Sequence, residues 1–70
     1  MQNFHELFAE ALEIEVSDFQ DDTLLADLDE WDSMAALGVI AFAAQFFDKR
    51  ITGDQLDLCS NVGDVRKLVE

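Results

Sequence analysis

The side chains able to do chemistry crowd into one stretch of this 70-residue chain. Asp18, Asp21, Asp22, Asp27, Asp29, Glu30 and Asp32 fall within fifteen positions, and Ser33 closes the run in "DEWDSMAALGVIAFAAQFF". A calcium loop of the EF-hand type needs a Gly at its sixth and a Glu at its twelfth position. Counted from Asp18 those positions hold Thr23 and Asp29, so the carboxylates read as a solvated acidic loop with loose cation binding. Paired carboxylates for hydrolysis require a pocket that raises one pKa, which so small a chain does not supply. His5 has no serine or cysteine partner in sequence and reads as a surface or boundary residue. Cys59, among Leu56 and Leu58, reads as a small buried hydrophobe rather than a nucleophile. Ser33 and Trp31 remain. The serine either caps a helix or offers a hydroxyl for attachment, and the tryptophan either pins the acidic loop to the core or flanks what Ser33 bears.

Composition narrows the partners. Sixteen acidic against four basic residues give a net charge of −12, which repels phosphate backbones and anionic headgroups and favours proteins with basic patches. Neither nucleic acid nor a membrane is an expected partner. Half of the residues are apolar, enough to fold despite the charge. The single cysteine excludes an internal disulfide, offers no zinc spacing and fits a reducing compartment, so a cytoplasmic location is expected. The N-terminus shows no targeting pattern, and the uncharged run Met34 to Phe47 is too short to span a bilayer. A free-standing, monomeric protein with one domain over residues 1–70 is the expectation.

These residues must be positioned by helices. Phe4, Leu7, Phe8, Ala11, Leu12 and Ile14 recur at three- and four-residue steps, predicting a helix over 3–15 that Asn3 and Glu6 open as a capping box. The periodicity then lapses for seventeen residues, Val16 to Asp32, and Leu24, Leu25 and Leu28 are the expected anchors of that long connection. Met34 to Phe47 reads as a buried helix closed by the cations of "DKR". Gly53 to Leu58 is a short helical turn, and Ser60 or Asn61 caps a last helix whose Val62, Val65 and Leu68 or Val69 share a face. With no proline and no alternating pattern, the fold class is all-α: a small four-helix bundle with a long loop between helices 1 and 2 and a short third helix.

The order of these parts, with "DSM" opening an apolar helix, Phe47 and Ile51 downstream and a final "NVGDVRKLV", resembles the acyl carrier protein family along nearly the whole chain. The resemblance implies that Ser33 accepts phosphopantetheine from coenzyme A through a separate magnesium-dependent phosphopantetheinyl transferase, and that the chain itself is no enzyme. It further implies that Asp32 assists the transferase and its metal, and that Met34 and Leu37 are apolar contacts at the foot of the arm. The partners implied are that transferase and the acyl-loading and acyl-using enzymes, with the arm holding an acyl or aminoacyl group as a thioester. Where the family displays glutamates along helix 2, this chain has Gly38, Ala41, Ala44, Gln45 and Phe46, so its partners differ from the usual fatty-acid synthase set or dock differently. The spacing of Ala35, Gly38, Ala41 and Gln45 predicts an outward stripe for such docking. Two other readings stand beside the carrier: an unmodified acidic adaptor that binds a partner through helix 2, with Ser33 only a cap, and an acidic ion-buffering domain.

Overall fold

The computed structural model describes residues 3–70. Helix α1 spans Phe4–Leu12, α2 Ser33–Phe46, α3 Gly53–Asp57 and α4 Val62–Val69, with 3-10 turns at Val16–Asp18 and Leu25–Asp27 between α1 and α2. Among the described residues there is no strand, and one isolated antiparallel bridge pairs Leu24 with Asn61. The expected all-α bundle with its long first loop and short third helix is the observed architecture.

Helix α1 opens with the expected capping box: Glu6 N–H donates to Asn3 Oδ1 at 2.9 Å, and Asn3 N–H to Glu6 Oε1 at 3.2 Å. It ends three residues short of the expected limit. Glu13 turns left-handed at φ 58°, and Ile14 N–H reaches back to the Ala9 carbonyl at 3.0 Å, a closure that satisfies terminal carbonyls where the helix stops. Ile14 still packs on the core, which is why it had belonged to the apolar periodicity.

Helix α2 is not the fully buried helix its composition predicts. Ala35, Val39, Phe42 and Ala43 face the core, while Met34, Leu37, Ala41, Ala44, Gln45 and Phe46 are exposed. A long charge-free run usually marks burial on all sides, but a chain of this size has too little mass to cover both faces of a helix. The expected outward stripe is therefore corrected. Ala35 is 2% exposed, and a Cβ at Gly38 would stand 3.2 Å from that of Ala11, so two of its four members face inward. Lys49 and Arg50 lie past the end of α2 rather than in its last turn, because Asp48 turns left-handed at φ 54° directly after the Phe47 cap.

The core joins Phe4 and Phe8 of α1, Val39 of α2 and Val62, Val65 and Val69 of α4, all at most 1% exposed. Burying each such side chain contributes about 1.5–3 kcal/mol. The long loop is anchored differently from the expectation. Leu25 is buried and Leu28 half-buried, but Leu24 is 47% exposed, and Phe19 is the second deep anchor, packed against Phe8 at 5.1 Å. Leu24 contributes through its neighbourhood's backbone instead: Leu25 N–H donates to the Ser60 carbonyl, Val62 N–H to Thr23 and Gly63 N–H to Asp21, at 3.0, 3.0 and 2.7 Å. Asn61, one of two expected caps, accepts from Asp64 N–H at 2.8 Å and opens α4.

Candidate cofactor attachment site

Ser33 is the first residue of α2, and it does not cap the helix. Asp32 does: its backbone is extended, its Oδ1 accepts from Ala35 N–H at 2.9 Å and its carbonyl from Ala36 N–H at 3.0 Å. The cap reading of Ser33 is thereby overturned. The Ser33 residue is exposed, and among the described residues its hydroxyl has no hydrogen-bond partner. The N–H groups of Ser33 and Met34 likewise have none, so they point out of the helix start with the positive end of its dipole.

The serine lies on the edge of a groove of about 510 Å³ between α2 and α3. Its walls are Trp31, Ala36, Leu37, Ile40 and Leu56, with the carboxylates Asp32, Asp54 and Asp57 around it and Gly53 at the start of α3. Trp31 does both things its position allowed. Its ring stacks on Phe8 at 5.7 Å and 20°, which ties the end of the acidic loop to the core, and it also lines the groove. Leu37, one helical turn beyond Ser33, is 61% exposed and forms part of the wall. Met34 is 76% exposed and is not among the groove's walls. Ala36, Ile40 and the α3 residues had not been singled out. Ala36 and Ile40 stand three and seven residues after Ser33, a helical spacing that would have found them. Nothing in five residues of α3 announces which helix they face, though the Thr52–Gln55 capping box marks where α3 begins.

The remaining candidates sit elsewhere. His5 Nε2 is 2.6 Å from Asp21 Oδ1, and Arg66 Nη2 is 2.9 Å from Asp21 Oδ2, so the loop carboxylate links α1 to α4. The hydrogen bond from His5 holds the Asp21 carboxyl below its ordinary value of 3.8; partial desolvation opposes this and the Arg66 charge assists it. Cys59 is half-buried, its thiol donates to the Gln55 carbonyl at 3.5 Å, and burial, then the Asp64 carboxylate, push its pKa up. A raised pKa is the reverse of what a nucleophilic cysteine needs. Among the described residues no three His, Cys, Asp or Glu side chains converge as a metal site.

A free hydroxyl at a helix start, two unpaired N–H groups beside it and an apolar groove leading away fit a phosphodiester-linked arm with a chain behind it. The sequence comparison agrees in kind. Over residues 2–69 the chain matches the family described as the phosphopantetheine attachment site, and it belongs to that family. No curated protein and no solved structure gave a match. The cofactor of the family is phosphopantetheine, covalently attached, and this chain is a phosphopantetheine-carrying carrier protein.

Proposed function

We propose that Ser33 bears the arm, and that the chain is a cytoplasmic, monomeric carrier holding an acyl or aminoacyl group as a thioester for other enzymes to load and use. The observation carrying the assignment of Ser33 is that the residue is exposed and its hydroxyl has no hydrogen-bond partner among the described residues, the cap being supplied by Asp32. When bound, phosphopantetheine supplies the thiol that carries the cargo. The protein's own part is to orient. The Ser33 and Met34 N–H groups and the α2 dipole favour the phosphodiester, Leu37, Ile40 and Leu56 offer the arm an apolar bed, and Trp31 keeps the loop from closing over the serine. Asp32, held by its capping bond to Ala35, presents its second oxygen toward the transferase and its metal. The tether then raises the effective concentration of the thioester at each docked active site. The half-buried lone thiol of Cys59 supports a reducing compartment.

Incubation with coenzyme A, magnesium and a broad-specificity phosphopantetheinyl transferase, read by intact mass, tests the assignment. The native chain is expected to gain one arm and Ser33→Ala none. Modification of Ser33→Ala would place the arm elsewhere, and no modification of the native chain would remove the carrier reading in favour of the adaptor.

A further inference from the structure

A second groove lies between α1 and α2, formed by Leu7, Glu10 and Ala11 on one side and Gly38, Phe42 and Phe46 on the other, with a volume of about 300 Å³. Gly38 and Ala11 meet at its floor, where a Cβ at Gly38 would approach Ala11 Cβ to 3.2 Å. Two small residues thus leave a notch between the larger side chains. Leu7 and Phe42 are buried in the core, but Phe46 is 51% exposed and belongs neither to the core nor to the side chains packed against it. A half-exposed aromatic ring on the wall of a notch has apolar surface left for something else to cover.

Charge decides what that something is. Glu10 stands in the groove wall and no Lys or Arg is among the lining residues, while Glu6 is exposed one turn earlier on α1 and Glu13 is exposed at the cap that ends it. A second copy would bring the same acidic flank and a net charge of −12 against its own kind, and nucleic acid or anionic lipid would be repelled likewise. The walls contributed by Gly38, Phe42 and Phe46 repeat every four residues over two turns, about 12 Å of helix, the footprint of a helix laid in a groove. We propose that this groove docks an amphipathic helix of a partner protein, apolar on one face and bearing Lys or Arg along its flank. Gly38, Phe42 and Phe46 lie on a different side of α2 from Ser33, Ala36 and Ile40, so the docked helix leaves the Ser33 groove open. The inference stands whether or not Ser33 carries the arm.

Three synthetic 18-residue helical peptides test it against the full-length chain by backbone-amide NMR titration: one with a leucine face and lysine flank, one with the same face and a glutamate flank, and one lysine-flanked with serine in place of leucine. The first is expected to bind at least tenfold tighter than either control and to shift Leu7, Ala11, Gly38 and Phe46 saturably. Phe46→Ser should weaken it about tenfold with the melting curve retained. Should that variant unfold, Glu10→Lys serves instead, weakening the lysine peptide and strengthening the glutamate one. Equal binding of the serine-faced peptide, shifts centred on Ser33 and α3, or concentration-dependent shifts at these residues in the chain alone would overturn the proposal.

Discussion

The two sides of this molecule use the same residue type in opposite ways. Along the seam between the long loop and α4, Asp21 is bonded by His5 and Arg66, its carbonyl accepts from Gly63, and the neighbouring backbone is tied through Leu25 and Val62. Around Ser33, by contrast, Asp32 makes a single capping bond, Asp54 and Asp57 form no ion pair among the described residues, and the serine hydroxyl is free. Carboxylates that close polar bonds inside the protein position elements. Those left without partners, around an apolar groove, face whatever docks. The seam holds the bundle together so that the Ser33 side can remain open.

Breaking the comparison at its strongest point means crowding the seam. A Cβ at Gly63 would lie 3.1 Å from the Asp21 carbonyl and 3.4 Å from Asn61 Oδ1, so Gly63→Val should destabilise by about 1–3 kcal/mol, as overpacking does. Chemical denaturation reads this, and an unchanged midpoint would mean that the seam yields freely. Next in size is the cap. Asp32→Ala should cost ~0.5–2 kcal/mol, whereas Ser33→Ala, which removes no hydrogen bond, should stay within about 0.5 kcal/mol. Equal losses from the two would return the cap to Ser33.

On the open side, Leu37→Glu should slow arm transfer about tenfold, the scale of losing one interface anchor, while the melting temperature stays put. An unchanged rate would show that the transferase docks without Leu37.

The pH response sharpens the contrast further. Because the Asp21 carboxyl is held below 3.8 in the folded chain, its contribution is fully present above that value and is lost as pH falls through the lower folded one. The native chain should therefore lose more stability than Asp21→Asn as pH is lowered through and below 3.8, and parallel acid titrations of the two would remove Asp21 from the seam. The smallest effect is on thiol chemistry. In the protein bearing the arm but no acyl group, the half-buried Cys59, its pKa raised by burial, should react with a maleimide more slowly than the free thiol of the arm.

Much of this was legible along the chain. The helix start at Asn3 follows from a cap residue three positions ahead of a carboxylate, an interaction contained within one turn, and the sequence narrows the start of α4 to Ser60 or Asn61, of which Asn61 makes the cap. The order of helices and the place of Ser33 at the head of α2 follow from apolar spacing, which depends only on helical geometry. The sequence leaves open whether Ser33 caps α2, since Asp32 and Ser33 are both good caps and only backbone dihedrals tell which one turns outside the helix. Likewise, a leucine in the loop does not disclose its depth. Leu24 is exposed and Phe19 buried because the bridge to Asn61 sets the loop's register against α4, a contact between residues thirty-seven positions apart.

Local sequence thus determined which segments coil and where the reactive hydroxyl falls along the chain, because backbone hydrogen bonds and caps span only three or four residues. Tertiary structure alone decided which face of the charge-free α2 is covered, that α3 supplies the far wall beside Ser33, and that Asp21 rather than its acidic neighbours joins His5 to Arg66. Those outcomes depend on which helices can cover one another in a body this small, and side-chain types at single positions carry no record of it.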